Sequence, residues 1–307
     1  MIKYILKRLA MGVVTMFFLI TITFVLTRLM PGSPFETDNI SPAMLAALEE
    51  NYGLDKPIDQ QYVIYLKDLL HGNLGVSYKK SGVTVNSLIA SGFPVTLKLG
   101  LISFGFALIV GILIGIWMSV TKSNRVKGWI ITGSTLCISV PNFVLAILLM
   151  MFFGVKLKVF PVLFDNSFKS YILPVIALAV YPIAEISRLV HSSFTEAMNQ
   201  DYVTMAKAKG ISKKRVMGLH ILKNALLPLI TVCGPFIAFQ ITGSFVIESI
   251  FTIPGIGKEF VNSVNSRDYT VIMGLTIFVG AIIILANLLS DIVCALVDPR
   301  IKLDKAN

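Results

Sequence analysis

The chain has 307 residues, 55% of them hydrophobic and only 14% charged, and its mean hydropathy is +0.79. A soluble domain carries about 25% charged residues, so this composition excludes a soluble enzyme or binding module and points to a bilayer protein. The net charge of +10 follows the membrane topology derived next, which makes nucleic acid a poor partner for it.

Crossing about 30 Å of hydrocarbon takes about 20 apolar residues in a helix. Runs of that length lie at Leu9–Leu29, Val95–Val120, Trp129–Val155, Ile172–His191, Leu226–Ile247 and Val271–Val297. Six spans put both termini on one side. Lys3, Lys7 and Arg8 precede the first run in the manner of a signal peptide, but the run is about twice the length of a secretory apolar region and no small-x-small site follows Leu29. The first span is therefore expected to remain, as part of a unit at 1–30.

An outer segment at 31–94 comes next, too short for a separate enzyme domain. Ser41 and Pro42 open one expected helix, with Met44, Leu45 and Leu48 on one face and Gly53 after its end. A second is expected from Pro57 towards Leu70, with Ile58, Tyr62, Leu66 and Leu69 at helical spacing. Their apolar stripes suit the membrane surface or the outer ends of the spans. The transmembrane core is expected at 95–297, with a basic inner loop at 192–225 and a tail at 298–307. With the termini inside, 16 of the 27 Lys and Arg residues fall on the inner side, and the short loops at 121–128 and 192–225 satisfy the positive-inside bias.

Within the core, Gly111 and Gly115 form a close-packing signature. Pro141-Asn142, Pro182 and Gly234-Pro235 interrupt three spans, and such breaks need protein or a water-filled cavity to satisfy the freed backbone. Asn142 is thereby a candidate for the lining of a path. Gln240, Ser244 and Glu248 recur at every fourth position of the fifth span, and Asn287 and Asp291 do so in the sixth. Polar groups in hydrocarbon face a bundle interior or water, so all five are path candidates. Glu248 and Asp291 are also suited to pairing with a basic residue of a partner chain. Glu185 and Arg188, three residues apart, are expected to form a local ion pair.

Catalytic signatures are missing. Pro254-Gly255-Ile256-Gly257-Lys258 is the nearest approach to a phosphate loop, but Thr252 stands where Gly is required and Glu259 where Ser or Thr is required. His71, His191 and His220 are scattered. Cys137, Cys233 and Cys294 show no paired spacing, which argues against a disulfide framework or a zinc site. No catalytic residue and no metal ligand is expected, and a potassium-type filter or a dense proton relay is absent, which disfavours a channel or an ion-coupled carrier.

The most distinctive stretch is EAMNQDYVTMAKAKGISKKRVMGLHILKNALLP, from Glu196 to Pro228, a basic helix-forming segment between two spans. Asp201 is expected to cap a run from Tyr202 to Lys209, with Lys207 and Lys209 in its last turn and Gly210 as a left-handed stop. Such a peg is about 12 Å long at roughly 1.5 Å per residue. Ala206 and Ala208 would keep its surface low enough for another protein's cleft.

This stretch resembles the Glu-Ala-Ala loop of the membrane subunits of ATP-binding-cassette importers, in the form found in the dipeptide, oligopeptide and nickel permease branch. Met198 stands where the general motif has its second Ala, and Tyr202 where it has Gly. Tyr4-Ile5-Leu6-Lys7-Arg8, Leu29-Met30-Pro31-Gly32, Tyr52 to Pro57, Gly72-Asn73-Leu74-Gly75, Glu248 to Gly257 and Asp298-Pro299-Arg300 are similar to the first of the two permease subunits. The resemblance implies an all-α, type I importer permease of six spans in the cytoplasmic (inner) membrane of a prokaryote, with both termini cytoplasmic. It implies a second similar permease, two ATPase subunits that bind ATP and Mg in place of this chain, and an external solute-binding protein. Glu196, Asp201, Tyr202, Ala206, Lys207, Ala208, Lys209 and Gly210 would then couple the chain to the ATPases, and the cargo would be dipeptides or oligopeptides, with nickel complexes or another small solute as the alternative.

Overall fold

Long apolar runs in this chain become long helices, because only intrahelical hydrogen bonds can satisfy a backbone in hydrocarbon. The computed structural model describes residues 2–30, 34–35, 42–242 and 244–297, and among these every regular element is helical. The expected cap at Ser41, the Pro31-Gly32 pair and the tail at 298–307 lie outside the described residues. In chain order the structure runs α1 (Ile2–Leu29), α2 (Pro42–Asn51), α3 (Ile58–Leu70), α4 (Val85–Val120), α5 (Asn124–Ser139) and α6 (Asn142–Leu149), which continues as a π-helical turn to Lys156. It then follows α7 (Phe168–Met198), α8 (Asp201–Ala208), α9 (Lys213–Arg215) with a π turn to Ile221, α10 (Leu222–Ala225), α11 (Leu227–Thr242), α12 (Phe245–Ile250), α13 (Ile256–Ser266) and α14 (Tyr269–Val297).

Five of these stretches are long and apolar enough to cross a membrane: α1, α4, α7, α11 with α12, and α14. The expected third span departs from a straight helix, since α5 and the α6 segment meet at 100°. Proline explains the corner. Pro141 disfavours helical backbone at the residue before it, and Val140 accordingly sits at φ −89°, ψ 123°. The second span also differs, starting at Val85 rather than Val95. Thr84 caps it by accepting from the Ser87 N–H at 3.1 Å, and Pro94 is accommodated inside the helix.

The centre is the pairing of α4 with α7. A Cβ on Gly111 would come within 2.8 Å of Ile186, and one on Gly115 within 2.7 Å of the Ser187 carbonyl oxygen, so the two glycines permit backbone approach that any larger residue blocks. Around this seam, Leu99, Leu173, Leu178, Ile247, Phe251 and Ile253 form one buried cluster, and Ile186, Val190 and Leu229 form another towards the inner end. Gly234 lies directly against Ser290 of α14.

Between the first two spans, α3 leans on the end of α1. Thr21 and Tyr62 share a hydrogen bond of 2.6 Å, and Phe24 packs on Tyr62 and Tyr65. The loop at 74–84 folds back as a tight turn with an isolated bridge between Val76 and Thr84. Buried Asp268 anchors this loop by accepting from the Ser77 hydroxyl and, at 3.1 Å, from the Tyr78 N–H.

Candidate functional site

The inner loop folds on itself before it can be offered to anything else. Phe194 and Ala197 at the end of α7 close a small core with Val203, Ala206, Val216, Ile221 and Ala225. The short helix α8 is thus braced against the end of α7 instead of hanging from it. Its far end is a Schellman stop: the Gly210 N–H donates to the Lys207 carbonyl at 3.0 Å and the Ile211 N–H to the Ala206 carbonyl at 3.3 Å. Gly210 supplies the required left-handed φ of 73°.

Three details of the expected peg change. Gln200 is the N-cap residue and Asp201 is the first helical residue, so the Asp201 carboxylate acts on the positive helix end without capping it. Lys209 is the C-cap, one residue beyond the helix. Ala206 is buried in the loop's own core, because it lies three residues after Val203 on the inward face. The outward face instead carries Asp201, Thr204, Met205, Lys207 and Ala208, with Met205 61% exposed. Glu196, Lys209 and Gly210 are exposed and Tyr202 is half-buried against the core. Ala206, expected together with Ala208 to face a partner's cleft, turns inward because the loop's internal core is completed by residues beyond the peg.

The polar set of the fifth span is also placed differently from a water-facing stripe. Gln240, Ser244 and Glu248 are all 0% exposed within the chain. Gln240 donates to the Leu178 carbonyl of α7 at 3.2 Å. Glu248 accepts from the Ser244 hydroxyl at 2.5 Å, the Gly257 N–H at 2.8 Å and the Lys258 N–H at 3.3 Å. Ser244 and Glu248 lie one helical turn apart, with the Glu248 N–H donating to the Ser244 carbonyl at 2.7 Å. Asp291 makes an ion pair of 3.1 Å with Arg8 and so ties the inner ends of α14 and α1. Asn142, at the corner of the bent pair, and Asn287 are half-buried. The expected pair of Glu185 and Arg188 is present at 2.7 Å.

Glu248 gives the apparent phosphate loop its physical role. Amides at the start of α13 point at an anion as they would at a phosphate, but the anion is the chain's own carboxylate. Thr96 of α4 takes the remaining donor, the Ile256 N–H, at 3.0 Å. A Cβ on Gly255 would collide with both the Glu248 carboxylate and the Thr96 hydroxyl, so glycine is required there by close approach. The signal was available in the sequence: a glycine pair opening an amphipathic run, with a carboxylate nine residues earlier.

The fold, with its long apolar helices, defines a multi-pass membrane protein. Residues 1–100 match the family model of the N-terminal part of binding-protein-dependent transport system membrane components, and residues 111–303 match that of the inner membrane component. The chain belongs to this family, whose members are permease subunits and not enzymes, and which work with a partner ATPase and a binding protein. It is 44% identical over 306 residues to the dipeptide transport system permease protein DppB of Bacillus subtilis, covering 99% of both chains. It is 41% identical over 307 residues to the Lactococcus lactis DppB (99% and 100% covered). It is likewise 41% identical over 309 residues to the oligopeptide transport system permease protein OppB of Salmonella typhimurium (98% and 100% covered). Among solved structures, the fold is similar to that of the methionine transporter MetNI in inward-facing conformations, with a TM-score of 0.54, 15% identity, and coverage of 69% of this chain and 96% of that one. An amino acid transporter with histidines gives 0.53 at 18% identity, covering 70% and 94%.

Proposed function

We propose that the chain is one of two permease subunits of an importer for dipeptides or oligopeptides. The observation that carries this reading is identity of 41–44% over nearly the whole chain to permeases whose names specify dipeptide or oligopeptide transport. In the proposed assembly a second similar permease completes the pathway, two ATPase subunits bind ATP and Mg, and an external solute-binding protein delivers the peptide. Both termini and the 192–225 loop face the cytoplasm.

The coupling step follows from the geometry of α8. Its outward face, with Asp201, Thr204, Met205 and Ala208, seats in a groove of an ATPase, while Tyr202 and Ala206 hold it to α7. Movement of the groove when the ATPases close on ATP is transmitted through the buried cluster to α7, and from α7 to α4 across the Gly111 and Gly115 seam. This is a rigid-body switch between inward-open and outward-open states. Asn142 and Asn287, the half-buried members of the polar set, are the positions proposed to meet the hydrated cargo.

The test is reconstitution of the chain with its native partners in lipid nanodiscs and measurement of ATP hydrolysis against a panel of dipeptides, longer peptides and nickel complexes, each supplied with the binding protein. Stimulation by peptides supports the reading. Stimulation by nickel complexes with no response to any peptide refutes it.

A further inference from the structure

Away from the 192–225 loop and the Glu248 network, the ends of α1 and α2, helix α3 and the 74–84 loop line an open cleft of about 570 Å³ that also reaches Thr270 and Met273 of α14. Its size falls in the range of small-molecule sites. Three of its lining residues carry buried polar atoms with no hydrogen-bond partner among the described residues: Arg28 Nε, Gln61 Oε1 and Tyr65 Oη. Buried polar groups are almost always paired, so three orphans around a single cavity call for a partner that the described residues do not supply.

The chemistry of the wall narrows that partner. Gln61 is held with its amide nitrogen on the Leu54 and Lys56 carbonyls, at 3.1 and 2.7 Å, which leaves its oxygen as an acceptor for an N–H. Arg28 lies 5.2 Å over the Phe24 ring, which fixes the guanidinium beside an aromatic face. Burial pushes the Tyr65 hydroxyl above its ordinary pKa, reinforced by Tyr78 and opposed by Arg28, so it stays a donor. Tyr52 and Tyr78, with rings 4.9 Å apart, add apolar wall. Glu50 and Asp68 line the same cavity as Lys56 and Arg28, so both signs of charge are present around aromatic surface. That combination fits neither a simple anion nor a lipid tail.

We infer that this outer cavity is a binding site for a short zwitterionic peptide, with its carboxylate towards Arg28, its ammonium and amide N–H groups towards Gln61 and the acidic residues, and an apolar side chain against the tyrosines. Rotation of the Arg28 and Tyr65 side chains, of the kind common when a surface takes up a partner, brings their donors to the ligand. The site lies before the membrane crossing, where it would raise the local concentration of peptide released at the outer face. It shares its cargo class with the function proposed above but is tested separately from it.

The experiment measures equilibrium binding of radiolabelled alanyl-phenylalanine to the complete permease complex in nanodiscs, without ATP and without the solute-binding protein. Saturable binding is expected. Tyr65→Phe, which keeps the ring, should weaken it about threefold to tenfold, as loss of one hydrogen bond does, and Arg28→Gln at least about tenfold, as loss of a charged partner does. N-acetylated and C-amidated forms of the peptide should each bind at least about tenfold more weakly than the parent. Thermal unfolding of each variant complex at the parental temperature assigns the loss to the cavity. Absence of saturable binding overturns the inference, as does binding unchanged by both substitutions or equal for the blocked and free peptides. Peptide-stimulated ATP hydrolysis that persists with no such binding removes the cavity site and leaves the transport reading in place.

Discussion

Replacement of Glu248 separates a buried structural anchor from a residue that meets cargo. In the structure its carboxylate accepts three hydrogen bonds, from the Ser244 hydroxyl and the Gly257 and Lys258 N–H groups, at a site with no solvent exposure. Glu248→Gln keeps the shape. Its amide oxygen can serve the two N–H groups while its nitrogen donates to Ser244, so the change trades charge-assisted bonds for neutral ones and costs about 1–2 kcal/mol. Glu248→Ala leaves both backbone donors orphaned at the start of α13, at about 1–3 kcal/mol each, for a total of about 2–6 kcal/mol before any cavity term. At roughly 2 °C per kcal/mol for a chain of this size, the alanine variant should unfold about 4–12 °C below the parent. A thiol-reactive dye reads this directly, because Cys137, Cys233 and Cys294 are free and only partly exposed. The expected order is parent, then Gln, then Ala. An alanine variant that unfolds at the parental temperature while transport falls would refute the anchor and restore Glu248 to a path.

Three further outcomes follow from the same geometry. Met205→Glu, on the outward face of α8, should leave the unfolding temperature unchanged and abolish peptide-stimulated ATP hydrolysis, whereas Ala206→Glu should destabilise the inner loop by burying a charge in its core; equal unfolding temperatures for the two would show that α8 is oriented otherwise. Gly115→Leu should reduce the yield of folded protein, since overpacking costs about 1–3 kcal/mol and the neighbouring Ser187 carbonyl is backbone that cannot swing aside; normal yield and stability would contradict the α4 and α7 seam. Single cysteines at the exposed positions Asn51 and Asn265 should react with an impermeant thiol reagent in intact cells while one at Ser212 stays protected, and labelling at 212 from outside would invert the topology.

Local patterns were legible where one physical requirement dominates. Hydrocarbon demands uninterrupted apolar helices, so α14 could be read within two residues of both ends, while α1 starts seven residues before its expected start and α7 runs seven beyond its expected end, where the helix leaves the apolar run; the Gly111 and Gly115 spacing announced a close helix contact. Gly210 was legible for a similar reason: a basic helical run that ends on glycine has few other ways to stop. What the sequence withheld depends on residues far apart in the chain. The inward turn of Ala206 is decided by Val216, Ile221 and Ala225, and Asp291 found its cation in Arg8, 283 positions away.

The misread polar stripe shows why spacing is an incomplete guide inside a membrane. Gln240, Ser244 and Glu248 recur at every fourth position, but each is turned to a partner within the chain, the Leu178 carbonyl of α7 or the start of α13. Glu248 lies beneath the first amides of α13, where a helix terminus in a low-dielectric setting needs an acceptor that water cannot supply. A carboxylate at that point is more strongly required by the backbone than by any passing solute, and Thr96 of α4 completes the same requirement. The junction of α4, α12 and α13 is thereby locked by buried polar contacts beside an apolar cluster, and the far end of the bundle is held by the α8 cluster, the Arg8 and Asp291 pair and a hydrogen bond of 3.0 Å between Ser119 of α4 and His191 of α7.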